Sequence, residues 1–253
     1  MLATQRHTAI LDVLQKQQSV KVTQLSRQLS VTEETIRRDL ERLEADGKLI
    51  REHGGATMAS REQLEIPFLQ RKVSQVKEKN LIAVEAVVRI APGDTIFLDA
   101  STSCYQLAKH LPDIDIIVIT NSLPILSLLA EMNNIKVICT GGILDTASKC
   151  MTGPIASKVT DHYHINKLFI SSKGIDIKRG LSEANEGEAI LKQDLMALVD
   201  AVFLLVDHSK YNRKSKIFFS KLSLVTEVIT TGKQEDEFVM ALMEQGIAVR
   251  SAN

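Results

Sequence analysis

Between Thr32 and Arg42 the chain reads Thr-Glu-Glu-Thr-Ile-Arg-Arg-Asp-Leu-Glu-Arg. A guanidinium presents a planar fork of donors that fits a phosphate or the O6/N7 edge of a guanine, and a threonine hydroxyl bonds either one. If this stretch is helical, Arg38 and Arg42 share one side with Thr35, and Ile36, Leu40 and Leu43 line the other. A second set of residues suits anions. Five short polar turns recur: Asp99-Ala100-Ser101-Thr102-Ser103, Thr120-Asn121-Ser122, Thr140-Gly141-Gly142, Lys173-Gly174-Ile175-Asp176 and Asp207-His208-Ser209-Lys210. Hydroxyls and backbone amides at a helix start cradle phosphate, and Lys210 adds a point charge. Asp99 and Asp176 accept from sugar hydroxyls, and Asn121 either accepts or donates. Asn185 and Glu188 fit such a pocket, and equally well a helix cap and its first acidic turn.

The first set needs a helix-turn-helix. Thr32 predicts an N-cap, with Glu33 and Glu34 at the positive end of the dipole, and Gly47 predicts the helix stop. Upstream, Thr23 is placed to cap a short helix carrying Leu25 and Leu29, and Ser30-Val31 leaves room only for a tight turn. Ile10, Leu11 and Leu14 mark an earlier helix. Leu49-Ile50-Arg51 reads as a strand and Glu52-His53-Gly54-Gly55 as a hairpin turn, so Arg51 and His53 fall on or near a wing. The DNA-contact candidates are therefore Thr23, Thr32, Thr35, Arg37, Arg38, Arg42, Arg51 and His53, while Asp39, near the core side, orients an arginine.

The second set needs strands that end where the polar turns begin. Strand patterns at 95–98, 114–119, 135–139, 168–171, 202–206, 224–229 and 248–249 alternate with helical ones at 81–90, 103–111, 122–131, 154–163, 188–198 and 235–245. This predicts an α/β domain with a largely parallel sheet covered on both faces, whose ligands bind at the carboxyl ends of the strands. The expected division is a winged helix-turn-helix over 1–57, a linker over 58–74 holding Pro67, and an α/β sensor domain over 75–253. Arg71 and Lys72 read as solvated linker residues, with contact to DNA as the alternative.

Composition sets the bounds. The 253 residues are 44% hydrophobic and 25% charged, with 31 basic and 31 acidic side chains, an ordinary globular balance. Residues 1–57 hold nine Lys/Arg against eight Asp/Glu, so bulk attraction to DNA is weak and any grip is local. The expectation is no membrane span, no signal segment and a cytoplasmic location. Cys104, Cys139 and Cys150 lack metal-ligand spacing and read as reduced thiols in core or pocket, and neither a metal nor a cofactor is expected.

Residues 1–57 resemble the DNA-binding domain of the DeoR family of bacterial transcription regulators. The match runs through Arg6, Ile10, Thr32, Thr35-Ile36-Arg37-Arg38-Asp39-Leu40, Leu43, Gly47, Arg51 and His53-Gly54-Gly55-Ala56. Most of 75–253 resembles the family's sensor domain, similar in fold to ribose-5-phosphate isomerase and the coenzyme A transferases. It runs through Gly93-Asp94, Asp99 with Ser101-Thr102-Ser103, Thr120-Asn121, Gly141-Gly142, Gly174-Ile175-Asp176, Glu188-Ala189 and Asp207-Ser209-Lys210. The resemblance implies a repressor of carbohydrate catabolism, not an enzyme, that binds double-stranded operator DNA as a homodimer or homotetramer under control of a phosphorylated sugar. An isomerase or transferase with a DNA-binding appendage is the alternative, and an architectural DNA-binding protein the third. No matched acid and base supports the enzyme, and near-neutral charge disfavours the architectural protein.

Overall fold

The computed structural model describes residues 3–17, 19–45, 48–52, 54–57 and 66–252, and the chain folds as two units, Met1–Glu65 and Ile66–Asn253. The first unit runs α1 (Ala3–Gln17), β1 (Ser19–Lys21), α2 (Val22–Leu29), α3 (Glu33–Ala45), β2 (Ile50–Glu52) and β3 (Gly55–Thr57). Ile10 and Leu14 of α1, Leu25 of α2 and Ile36, Leu40 and Leu43 of α3 pack into one core. Thr32 caps α3 as its position predicts, its Oγ1 accepting from the Thr35 amide at 3.2 Å. The cap expected at Thr23 is not formed. α2 starts at Val22 with Lys21 as its N-cap and no side-chain bond there, and Thr23 is exposed in the first turn. The reason is β1, an unpredicted strand that leads straight into α2 and brings the Val22 amide within 2.9 Å of the Gly54 carbonyl. The wing thus satisfies a first-turn donor that a side chain would otherwise have to satisfy.

Gly54 and Gly55 serve this wing differently. Gly54 turns the hairpin at φ +81°, whereas Gly55 lets β1 approach, since a Cβ there would lie 2.2 Å from the Val20 carbonyl oxygen. β1 and β2 both pair antiparallel with β3, in the order β1-β3-β2. Gly47, expected to stop α3, and His53, expected on the wing, lie outside the described residues, as does the linker from 58 to 65.

The second unit opens with α4 (Phe68–Lys72), inside the stretch read as linker, and α5 (Val76–Val87). Then follow β4 (Thr95–Leu98), α6 (Thr102–Lys109), β5 (Ile116–Thr120), α7 (Leu123–Leu129), β6 (Ile135–Cys139), the hairpin β7 (Ile143–Asp145) and β8 (Cys150–Thr152), α8 (Pro154–Thr160) and β9 (Lys167–Ile170). The chain continues through β10 (Gly174–Asp176), β11 (Gly180–Glu183), α9 (Glu186–Met196), β12 (Ala201–Leu205), β13 (Ile217–Ser220), β14 (Glu227–Thr230), α10 (Glu237–Glu244) and β15 (Ala248–Ser251). Seven strands pair in parallel in the order β15-β14-β12-β9-β4-β5-β6.

Alternate residues of each strand enter opposite cores. Ile96, Leu98, Phe169 and Phe203 pack with α5, α6 and α7, whereas Phe97, Leu168, Ile170, Val202 and Leu204 pack with α9 and α10. This second face also meets β10, β11 and β13, an antiparallel sheet absent from the sequence expectation. The strand expected over 224–229 begins only at Glu227, because Leu222–Leu224 closes a 3-10 turn.

Successive strands run outward from β4 to β5 and β6 on one side, and from β9 through β12, β14 and β15 on the other. The direction of winding therefore reverses between β4 and β9, and a parallel sheet opens a crevice at the carboxyl ends of two such strands.

Gly55→Ala is expected to destabilise the first unit by about 2 kcal/mol or more, because the β1–β3 approach must be given up. A thermal unfolding scan reads this as a lowered first transition with the second unit's transition unchanged.

Candidate DNA-reading face and anion site

α3 turns its charged side outward. The side chains of Arg37 and Arg38 are 50% and 77% exposed, and their partners are Glu33 at 3.0 Å and Glu34 at 3.3 Å respectively. Such exposed pairs contribute little, so a phosphate or base edge can take either guanidinium. Arg42 is exposed beside them, and Thr35, half-buried, shares a 2.9 Å hydroxyl bond with Thr32. Arg51 is engaged with α3: its Nη1 lies 2.9 Å from Glu41 and its amide donates to Glu44 at 2.9 Å. Asp39 is buried and orients an arginine, Arg6 of α1, through a two-pronged pair, with His7 Nε2 at 3.0 Å. Burial pushes the Asp39 carboxyl up, but the bonds from Arg6 and His7 outweigh it and hold it below the ordinary value. The pair therefore steadies the α1–α3 packing at neutral pH and fades as pH falls through that lowered value.

In the second unit, the crevice between β4 and β9 is built on a buried charge cluster. Lys192 of α9 places its Nζ 2.9 Å from Asp99, 2.6 Å from Glu183 and 4.0 Å from Glu188, and donates to the Ser171 carbonyl at 2.9 Å. Burial alone would lower the Lys192 ammonium, but Asp99, Glu183 and Glu188 reverse this and hold it well above its ordinary value. Burial likewise pushes Asp99 up, and Lys192 with the groups around Ser101 and Ser171 brings it below normal. Asp99 accepts from the Ser101 amide and the Ser171 amide, each at 2.9 Å. Its oxygens are thus committed to the scaffold: they shape the Ser101–Ser103 loop, where the sequence had suggested an acceptor for sugar hydroxyls.

Around this frame lie the other expected residues. The Ser101 hydroxyl caps α6 by accepting from the Cys104 amide at 3.0 Å, and Thr102 and Ser103 are buried in the first turn. Thr120 donates to the Leu98 carbonyl at 2.6 Å. Asn121 donates through Nδ2 to the Met151 carbonyl at 3.1 Å, leaving its buried Oδ1 without a hydrogen-bond partner, as is the buried Ser172 hydroxyl next to the crevice.

A cationic group gathers beside them. Lys79 of α5 is buried and donates to the Arg71 and Ser74 carbonyls at 2.8 and 2.6 Å. Burial lowers its pKa to about 8; Asp207 counters this, while Lys210, Arg71 and Lys173 add repulsion. Four cations thus share a neighbourhood with Asp207, whose Oδ1 already accepts from the Ser209 amide and hydroxyl.

Other expected residues stand elsewhere or serve the fold. Asp176 accepts from the Lys178 and Arg179 amides at 3.0 and 2.7 Å and pairs with Lys214 at 3.0 Å, so it closes the β10–β11 turn. Asn185 caps α9, its Oδ1 accepting from the Glu188 amide at 3.1 Å. Glu188 is buried, with the Cys150 thiol donating to it at 3.4 Å. Gly141 and Gly142 turn the chain at φ +64° and +108°, and a Cβ at Gly142 would meet the Thr152 carbonyl oxygen at 2.5 Å. Cys104 and Cys150 are buried, but Cys139 is exposed, contrary to the expected core or pocket role. Among the described residues, no group of three His, Cys, Asp or Glu is placed to hold a metal, and no helix is long and apolar enough to cross a membrane.

Sequence reasoning missed Glu183, Lys192 and the part played by Lys79. A signal for Lys192 was present: it shares the inward side of α9 with Ala189 and Leu195, where a lysine survives only if paired.

Lys192→Met is expected to destabilise the second unit by about 3 to 5 kcal/mol at neutral pH, since it strands buried carboxylates. The difference from wild type should narrow on acidification as those carboxyls take up protons. Chemical denaturation at several pH values checks both.

The comparisons with known proteins cover both units. Residues 6–62 match the DeoR-like helix-turn-helix domain and residues 74–232 the DeoR C terminal sensor domain. The chain is 41% identical over 249 residues to the HTH-type transcriptional regulator YulB of Bacillus subtilis (strain 168), covering 98% of this chain and 96% of that one. It is 37% identical over 231 residues to the L-fucose operon activator of Escherichia coli (strain K12), with 90% and 95% covered. Identity to the HTH-type transcriptional repressor GlcR of Bacillus subtilis (strain 168) is 31% over 247 residues, with 98% and 95% covered. Among solved structures, ribose 5-phosphate isomerase A from Methanocaldococcus jannaschii is similar at a TM-score of 0.41 and 16% identity over 55% of each chain. The chain belongs to the DeoR family of transcriptional regulators, a helix-turn-helix unit joined to a sensor domain, and is a regulator rather than an enzyme.

Proposed function

We propose that this regulator represses a carbohydrate-catabolism operon, that it grips the operator as a homodimer or homotetramer in the cytoplasm, and that a phosphorylated sugar in the sensor domain loosens the grip. The observation that carries the reading is the cationic group of Arg71, Lys79, Lys173 and Lys210 near the strand ends, where Asp207 opposes the mutual repulsion acting on Lys79. A doubly charged phosphate is the ligand such a group is short of, and hydroxyls and amides at the start of α6 complete its recognition. The buried oxygens of Asn121 and Ser172 then face sugar hydroxyls. A relative named for an L-fucose operon supports the carbohydrate assignment, and one named a transcriptional repressor supports the sign, although the L-fucose relative is named an activator. Sugar phosphate shifts the protein only through unequal affinity for the gripping and released states.

On the DNA side, Arg37 and Arg38 exchange their weak carboxylate partners for the operator, and Arg42 joins them there, with Thr23, Thr35 and Arg51 bordering them. Arg38→Ala is expected to cost about 1 to 3 kcal/mol of operator affinity and to relax preference at one base, and Arg42→Ala to reduce the salt slope. Anisotropy titrations with an operator selected from random duplexes decide between these roles. Normal operator binding by both variants would reject α3 as the reading helix.

On the sensor side, Lys210→Ala is expected to keep operator affinity and lose release by the sugar phosphate that acts on wild type, giving permanent repression. Unimpaired release would place the effector elsewhere. The assembly is checked separately, because one α3 reads only a few base pairs and paired half-sites need paired subunits. Sedimentation is expected to give a dimer or tetramer at micromolar concentration, and a monomer with full operator affinity would refute the assembly.

A further inference from the structure

The stretch entering the sensor unit reads as solvated linker in the sequence, but it packs as part of the anion site. The Phe68 amide at the start of α4 donates to the Ala147 carbonyl at 2.9 Å, between β7 and β8. The Phe68 ring meets Tyr105 of α6 edge-on at 5.8 Å, and the Lys72 ammonium lies 4.5 Å from the centre of the Tyr105 ring. At the other end of α4, Lys79 holds the carbonyls of Arg71 and Ser74. The first turn of α5 is tied to the loop after β12 through Glu78, which lies 2.8 Å from His208 Nδ1 and also accepts from Thr231 at 2.9 Å. The segment therefore reaches from the loop after β12 to the early turns of α6, across the ends of the strands.

Arg71 is the unexplained group here. Its Nε donates to the Ile66 carbonyl at 2.9 Å and its guanidinium lies 5.9 Å from the centre of the Phe68 ring. One terminal nitrogen, Nη2, is buried with no hydrogen-bond partner. A buried guanidinium N–H left unsatisfied is costly, and Lys79 and Arg71 repel one another. An anion would relieve both costs with one contact.

We propose that Arg71 is an anion-binding residue of the sensor: a phosphate monoester held by Lys210 and the Ser101–Ser103 loop also accepts from the Arg71 guanidinium, and so fixes α4. The proposal rests on the sensor reading above and adds to it a direct contact between ligand and the segment that leads to the DNA-binding unit. Occupancy then reaches the linker without a relay through the sheet. The other cations of the group are on the sensor body; Arg71 alone among them stands on α4.

The test uses the full-length protein, with inorganic phosphate as the calorimetric probe, and hydrogen exchange at the amides of residues 69–73. Wild type is expected to bind phosphate and to slow exchange in α4. Arg71→Gln is expected to bind about tenfold more weakly, the size of one charge-assisted bond, and to show no slowing even when saturated. Arg71→Lys keeps charge without the fork, guards against a folding defect in the first variant, and should bind more weakly than wild type with an unchanged melting temperature. Lys210→Ala separates the two readings. Normal binding and slowing in both Arg71 variants, with loss in Lys210→Ala, overturns the role of Arg71 and leaves the sensor site standing. Binding unaffected by any of the three, or absent in wild type, overturns both.

Discussion

One buried ammonium organises the sensor unit. Lys192 reaches from α9 to Asp99 at the end of β4, Glu183 at the end of β11 and the Ser171 carbonyl after β9, so a single charge joins the two sides of the crevice where the winding reverses. Removing such a partner leaves carboxylates in a low-dielectric interior, a cost of several kcal/mol that no rearrangement of neighbouring side chains recovers. Asp99, held in this way, fixes the Ser101 and Ser171 amides, and the start of α6 takes its position from it. The scaffold therefore uses its negative charges internally and presents a cationic group at the rim.

The DNA-binding unit solves a similar problem on a smaller scale. Arg6 and Asp39 join α1 to α3 from within, while the arginines on the opposite side of α3 hold only exposed, exchangeable partners. In both units the strong ion pairs are structural, and in the first unit the weakly held cations face outward. This explains how a chain with balanced charge can bind DNA: the attraction is local to α3 rather than spread over the surface.

Much of this was legible in the sequence. The capped, amphipathic α3 could be read because the Thr32 cap and the spacing of Ile36, Leu40 and Leu43 are local signals. The parallel strands could be read as short apolar runs ending in polar turns, and the cap at Asn185 formed as its residue type predicts, whereas the helix expected from 103 begins at Thr102 with Ser101 as its cap. What escaped depends on distant pairing. β1 and the sheet of β10, β11 and β13 have three or four residues each, too few to show a period. Asp99 was visible as a carboxylate after a strand, but its partner is on a helix far along the chain, so its structural task was not. Arg71 looked like a solvated charge because the burial of its Nη2 is made by the fold.

The central claim is that ligand in the sensor and operator on α3 are coupled, and coupling between two binding sites is reciprocal. Calorimetric titration of the full-length protein with its releasing sugar phosphate, with and without saturating operator duplex, measures this directly. The account predicts that operator weakens sugar-phosphate binding by the same factor by which sugar phosphate weakens operator binding, whereas the unphosphorylated parent sugar shows no effect. An affinity for the sugar phosphate that operator leaves unchanged would contradict it.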